Sequence, residues 1–160
     1  GFWPAFWLMP SEDIRWRVGG EIDILENRGR ISNISSSALH FGKQWNKKST
    51  LVGEALIPRE VRFQDKFHSI SLVWKENYIA FYLDNSPDPY FTINSDHPEF
   101  QKYKYPFNRD YYMILNVAVG GKYDDYWVDF DAFCNDEECS NKEDPDSHRF
   151  IIDWIEYERL

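Results

Sequence analysis

The chain has 160 residues, of which 18% are aromatic and 28% charged, with a formal net charge of -9 at pH 7. That aromatic content excludes an intrinsically disordered chain, the acidic balance excludes a phosphate-tracking nucleic-acid binder and suits a neutral ligand, and no apolar run approaches the roughly 20 residues of a membrane span. The length fits one domain, and 8 Gly with 8 Pro exclude collagen-like or low-complexity character.

The opening run Gly1-Phe2-Trp3-Pro4-Ala5-Phe6-Trp7 has no basic start, apolar stretch and small-residue cleavage site. It reads as the inside of a folded domain, not as a targeting segment. Downstream, helical periodicity is almost absent, and short runs alternate or collect β-branched and aromatic residues. Strands are expected over 20–26, 37–41 and 51–56. A hairpin is expected from 67–74 to 78–83, across Lys75-Glu76-Asn77. A short strand at 90–93 follows the turn-rich Asp84-Asn85-Ser86-Pro87-Asp88-Pro89. The strongly apolar run 111–119 reads as a fully buried strand. The stretch 122–147 is long, acidic and irregular, as functional or disordered loops are. Within it, Cys134 and Cys139 lie five positions apart. A small disulfide loop and two free thiols both fit, and too few N/S ligands stand beside them for zinc. The chain closes on 150–157, where Phe150, Ile152 and Trp154 alternate with Ile151, Asp153 and Ile155. Many short strands with turn signals between them predict an all-β antiparallel sandwich or jelly roll.

The most informative segment is Gly20-Glu21-Ile22-Asp23-Ile24-Leu25-Glu26. On a strand, residues i and i+2 share a face, so Glu21 and Asp23 point one way and Ile22 and Ile24 the other. Glu26 returns to the first face if a bulge adds one residue at Ile24-Leu25. Three carboxyls then stand in a row. Crowded carboxylates repel, and one takes up a proton at a raised pKa. That supplies an ionised nucleophile and a protonated acid together, as a glycosidase needs. A retaining enzyme holds the two carboxyls roughly 5–5.5 Å apart. Strand positions four to five residues apart lie about 13–16 Å apart, so the two Glu side chains must lean inward across Asp23. The aromatics Trp3, Trp7, Trp16 and Trp45, with His40, surround the cluster in sequence. Aromatic faces stack on sugar rings, although a single Trp is more often core.

With these motifs the chain resembles glycoside hydrolase family 16, specifically its laminarinase-like endo-β-1,3-glucanases. Gly1 to Pro10 is similar to the family's segment ahead of the catalytic strand, and Gly20 to Glu26 to its bulged catalytic signature. Leu39-His40-Phe41-Gly42, Phe67-His68 to Trp74, Phe81-Tyr82-Leu83-Asp84, Leu115-Asn116-Val117-Ala118-Val119-Gly120-Gly121 and Ile152-Asp153-Trp154-Ile155-Glu156-Tyr157 resemble later family strands. The resemblance implies a concanavalin A-like β-jelly roll of two antiparallel sheets with a concave cleft. It implies Glu21 as nucleophile, Glu26 as acid/base and Asp23 as their assistant. It places Trp16 beneath a sugar, and Trp7, Trp3, His40 and Asn116 along the glycone side. Arg15 and Arg17 flank Trp16, where a solvated charge and a hydroxyl contact are the two readings. No cofactor is implied for catalysis. A structural calcium of the family would use Asp153, with its other ligands upstream of Gly1.

Family members carry further strands ahead of the segment matched at Gly1. Residues 1–160 are therefore expected to be the C-terminal two-thirds of one catalytic domain, completed by an N-terminal fragment, a second chain or a swapped neighbour. The loop Lys122-Tyr123-Asp124-Asp125-Tyr126-Trp127 lacks the family's Pro-Gly pattern, and 134–147 reads as an insertion. The expected partner is a β-glucan, with neither nucleic acid nor membrane. The expected enzyme is secreted, periplasmic or at the cell surface, because the polymer is too large to enter a cell easily. The rivals are a non-catalytic β-1,3-glucan recognition protein, which the retained acids disfavour, and a hydrolase of mixed-linkage glucan or an algal galactan. The sequon Asn33-Ile34-Ser35 matters only in a eukaryotic secretory protein. His97 and His148 read as ordinary loop and strand-edge residues.

Overall fold

A computed structural model describes residues 1–44, 46–129 and 149–159. In chain order the elements are β1 (Phe2–Pro10), β2 (Glu21–Arg28), β3 (Ile31–Gln44), β4 (Lys47–Leu56), β5 (Ile70–Lys75), β6 (Tyr78–Leu83), β7 (Phe91–Asn94), the short helix α1 (Pro98–Tyr103) and β8 (Tyr111–Val119). They form a five-stranded sheet, β4-β3-β2-β1-β8, and a three-stranded sheet, β5-β6-β7. Every strand pair is antiparallel. This is the two-sheet all-β sandwich that the short alternating runs predict.

The sheets meet on an apolar layer because one face of each strand is apolar. Leu8, Ile22, Ile24, Leu39 and Phe41 of the large sheet pack with Ile79, Phe81 and Ile93 of the small one. Phe100 and Phe107 close one end, with the Phe41 ring 4.6 Å from Phe100 and 6.2 Å from Phe107 between centroids. β5 lies against β2 and β7 against β4. The approach of β7 is close enough to require glycine opposite it. A Cβ built on Gly53 would lie 2.2 Å from Phe91 Cγ.

Three elements differ from the expected set of strands. First, β1 is a central strand although it carries Pro4 and Pro10, which remove ladder donors and hide it from a pattern reading. Second, β8 is not fully buried and, among the described residues, is an edge strand. Met113, Leu115, Val117 and Val119 are 40–54% exposed. They stand opposite Leu8, Phe6, Pro4 and Phe2 on the core-side face. The small sheet lies against β2 and β4, so its strands do not extend across β8. Third, 149–159 contains no strand, and Ile152, Trp154 and Tyr157 are 43%, 63% and 76% exposed. An alternating segment becomes a strand only when a partner edge supplies its hydrogen bonds. No described strand forms a ladder with it. The helix α1 is an element the periodicity did not announce; His97 caps it by accepting from the Glu99 N–H at 3.3 Å. Trp45, Cys134, Cys139, the expected insertion at 134–147 and His148 lie outside the described residues.

The Gly53–Phe91 approach makes a packing prediction. Gly53→Ala should cost about 1–3 kcal/mol through overpacking. Urea unfolding measures it, and Phe91→Leu in the same chain should recover part of the loss because the two sites are in contact.

Candidate active site

The site begins with glycine at the entry to β2. Gly20 has φ +87, and a Cβ there would lie 2.8 Å from Phe107 and Pro106 atoms and 2.5 Å from the Tyr111 hydroxyl. Tyr111 Oη donates to the Gly19 carbonyl at 2.6 Å. The chain is thereby pinned before it enters the strand. Ile22 and Ile24 are buried in the apolar layer, and Glu21 and Asp23 stand on the opposite face.

The bulge lies where the spacing requires it. Asp23 pairs with Ala38 and Glu26 with Ser36, so Ile24 and Leu25 together oppose Ser37 alone. On the other side Trp7 pairs with Asp23 and Phe6 with Leu25, so Ile24 is the additional residue. Its carbonyl accepts from Ser37 Oγ at 2.7 Å. The Ser37 proton is committed there, so the Tyr90 hydroxyl, 2.6 Å away, donates to Ser37. This buried relay closes the gap in the ladder and returns Glu26 to the face of Glu21.

One pocket gathers Glu21, Asp23 and Glu26 with Trp3, Ala5, Trp7, Asn116 and Ala118. Each Glu accepts an indole N–H. Trp16 Nε1 donates to Glu21 Oε2, and Trp3 Nε1 donates to Glu26 Oε1 at 3.1 Å. Trp7 Nε1 donates to Asn116 Oδ1 at 2.8 Å, which joins β1 to β8 across the pocket floor. His40 stands between β2 and β4 in a cross-strand row, opposite Glu21 and opposite Thr50. Its Nδ1 is 2.8 Å from Thr50 Oγ1 and its Nε2 is 3.1 Å from Asp23 Oδ2. The latter pair is close but not aligned as a hydrogen bond.

Of the expected residues, the pocket brings together Glu21, Asp23, Glu26, Trp3, Trp7 and Asn116. Trp16 and His40 touch the acids from outside its lining. Arg15 is exposed and outside the lining. Asp153 is exposed and joins no group of ligating side chains among the described residues, which do not compose a calcium site around it. Among those residues, only Glu21, Asp23 and His40 gather three ligand atoms, within 4.8 Å of one another. A divalent cation held there would neutralise the carboxylates.

Sequence reading missed two contributors and the attachment of a third. Tyr123 stacks on Trp3 with centroids 4.9 Å apart and donates from Oη to the Glu26 carbonyl at 3.2 Å. Asp124 is buried under Arg30, whose Nε and Nη2 are each 2.8 Å from its Oδ1. Arg17 bonds to β4. These partners are remote in sequence, and only the Gly-Gly before Tyr123 marks its turn.

Burial sets the electrostatics. It pushes Glu26 up to about 7, aided by the neighbouring Asp23 charge and opposed by His40 and the Trp3 N–H. It pushes Asp23 up to about 7 as well, against the Glu21 hydrogen bond and the Arg17 charge. Glu21 is also raised, by burial and then by Asp23, with His40, Trp16 and Arg17 opposing. Burial lowers His40 and keeps it neutral. A neutral acid and an ionised carboxylate can therefore coexist on this face near neutrality.

The family model of the glycosyl hydrolases family 16 matches residues 1–156. The chain is 36% identical over 129 residues to a glucan endo-1,3-beta-glucosidase of Cryptopygus antarcticus, covering 76% of this chain and 46% of that protein. It is 34% identical over 133 residues to glucan endo-1,3-beta-glucosidase A1 of Niallia circulans, covering 78% of this chain and 19% of that protein. Its fold superposes on the catalytic domain of an endo-1,3-beta-glucanase (laminarinase) from Thermotoga petrophila with a TM-score of 0.68 at 27% identity, covering 81% of this chain and 51% of that one. The chain thus spans about half the length of that domain and less than half of the two curated relatives.

The raised acids make a linkage prediction. In the folded protein Asp23 and Glu26 hold their protons up to about pH 7, while the unfolded chain releases them near 3.8 and 4.5. Their contribution to stability is present in full below those ordinary values and is lost as pH rises through about 7. Glu26→Gln removes the charge in both states. It should raise stability at pH 8 by on the order of 1–3 kcal/mol and change little at pH 4, as read by urea unfolding.

Proposed function

The chain belongs to glycosyl hydrolase family 16, and on that premise we propose that it acts as a retaining endo-β-glucanase cleaving β-1,3-glucan by double displacement. The observation that carries this reading is the bulge, which sets Glu21 and Glu26 on one face with Asp23 between them. Glu21, ionised and held by the Trp16 N–H, attacks the anomeric carbon. Glu26, protonated up to about pH 7, gives its proton to the departing glycosidic oxygen. A glycosyl ester on Glu21 results. Glu26, now a carboxylate, takes a proton from water, the water oxygen bonds to the anomeric carbon, and Glu21 leaves ionised.

Asp23 shares a hydrogen bond with Glu21 and adjusts the charge of the row without entering bond exchange. Trp16 stacks beneath a sugar next to the scissile bond. Trp7 and Asn116, already tied to each other, line the glycone side. Trp3 and His40 serve less as sugar contacts than as supports, because the N–H of one is engaged by Glu26 and the ring of the other by Thr50. Residues 1–160 are read as part of one catalytic domain, and a polymeric substrate implies an exported enzyme.

The test is release of reducing ends from laminarin by the full chain. Glu21→Gln should abolish turnover, and Glu26→Gln should lower kcat about 10²–10⁴-fold. The initial product, followed by proton NMR, should keep the β-anomeric configuration. Laminarin binding without turnover would overturn the reading in favour of a recognition protein. Faster cleavage of mixed-linkage glucan would reassign the linkage.

A further inference from the structure

We propose that Arg17 is a positioning residue that joins the two supports of the nucleophile end, Trp16 and His40, into one assembly. This rests on the reading of Glu21 as the nucleophile. Arg17 lies in the loop between β1 and β2, in the left-handed region with φ +70, where a side chain without a special reason to be there is strained. Its side chain makes two attachments that give the reason. The guanidinium carbon sits 4.4 Å from the centroid of the Trp16 ring, and Nη1 donates to the Ser49 carbonyl at 3.2 Å and to Thr50 Oγ1 at 3.1 Å. The loop that carries Trp16 is therefore clamped to β4, on the far side of β2 and β3.

Two consequences reach Glu21. The first passes through Trp16. Arg17 covers one face of the indole, so a stacked ligand has the opposite face alone, and the ring is held at the angle from which Nε1 meets Glu21. The second passes through Thr50. Its hydroxyl accepts from Arg17, so its own proton is available to His40 Nδ1 at 2.8 Å. With Nδ1 accepting, the neutral imidazole carries its proton on Nε2, the atom that faces Asp23 Oδ2 at 3.1 Å. Arg17 thus selects the tautomer that puts the proton, not a lone pair, on the nitrogen beside the Asp23 carboxyl, a close approach short of an aligned hydrogen bond. Lysine would supply the charge without the planar fork and without the same stacking.

The experiment compares Arg17→Met, Arg17→Lys and Thr50→Val in the full chain. The titratable and charged groups around Glu21 are Asp23 and Glu26 on β2, His40 on β3, Lys48 on β4 and Arg17 itself. Arg17→Met should lower kcat/KM on laminarin about 10- to 100-fold and move the acidic limb of the pH–rate profile upward, because a cation that favours the ionised acids is gone. Arg17→Lys should leave that limb in place while raising KM through the loosened Trp16. Nitrogen-15 NMR of His40 should show the Nε2–H tautomer in the parent and lose it in Arg17→Met and in Thr50→Val.

A folded Arg17→Met with the parental acidic limb and the parental His40 signals would overturn the proposal. If Arg17→Met does not fold, retention of the Nε2–H signature in Thr50→Val overturns it. The NMR readout needs no turnover. A chain that hydrolyses no glucan but loses the tautomer in these variants would refute the proposed function and leave the clamp standing.

Discussion

Between Asp23 and Glu26 the ladder of β2 slips by one residue, and the Ile24 carbonyl must find a donor inside the sandwich. A buried carbonyl without one costs about 1–3 kcal/mol. Ser37 supplies the donor from β3, and Tyr90 supplies the donor that Ser37 then needs. The consequence extends across the sheet. Were the same sequence to run as a regular strand, Glu26 would point into the layer occupied by Ile22, Ile24, Leu39 and Phe41, where a carboxyl has no partner. With the bulge, the strand keeps its apolar side for the core and gives three acids to the other face. The core and the acid row are therefore two results of one irregularity.

The acid row is held in a manner that leaves its charge unsettled by design of its surroundings. Few donors reach it, and Arg17, the cation that opposes the shifts of Glu21 and Asp23, is engaged by β4 and by an indole. Burial acts on all three carboxyls in the same direction, and each ionised member makes the next harder to ionise. The row therefore behaves as a coupled set near neutrality, not as three independent acids. A surface acid cluster would show none of this, since solvent would screen it.

Much of this was legible before any coordinates. The i, i+2 spacing of Glu21 and Asp23 and the odd spacing of Glu26 specify both the face and the bulge, because strand geometry permits no other way to align them. The hairpin at Lys75-Glu76-Asn77 was equally plain. What sequence could not show are contacts whose partners are distant along the chain: Tyr123 under Trp3, Arg17 on Thr50, Ser37 at Ile24. The reading of β8 failed for a different reason. Its apolar run says that both faces avoid charge, but not whether a second layer lies over them, and the edge position leaves Leu115 and Val117 exposed. The segment 150–157 failed similarly, since alternation describes a strand's faces and not its neighbours. For Arg17 the sequence leaves a solvated charge and a hydroxyl contact both open, because it gives no sign of the loop that folds the side chain back onto Trp16.

The two indoles that hold Glu21 and Glu26 share a property that a histidine, tyrosine or lysine in their place would lack. An indole N–H is a donor only and has no second protonation state in the accessible range. Trp3 and Trp16 can therefore orient a carboxyl in either of its forms without competing for its proton. Any proton that leaves Glu26 goes to a bound molecule, to water or to a neighbouring acid, and never into the group that fixes its position. The two indoles are inert to the traffic they frame: each biases the charge of the carboxyl it holds, and neither ever carries one of its protons.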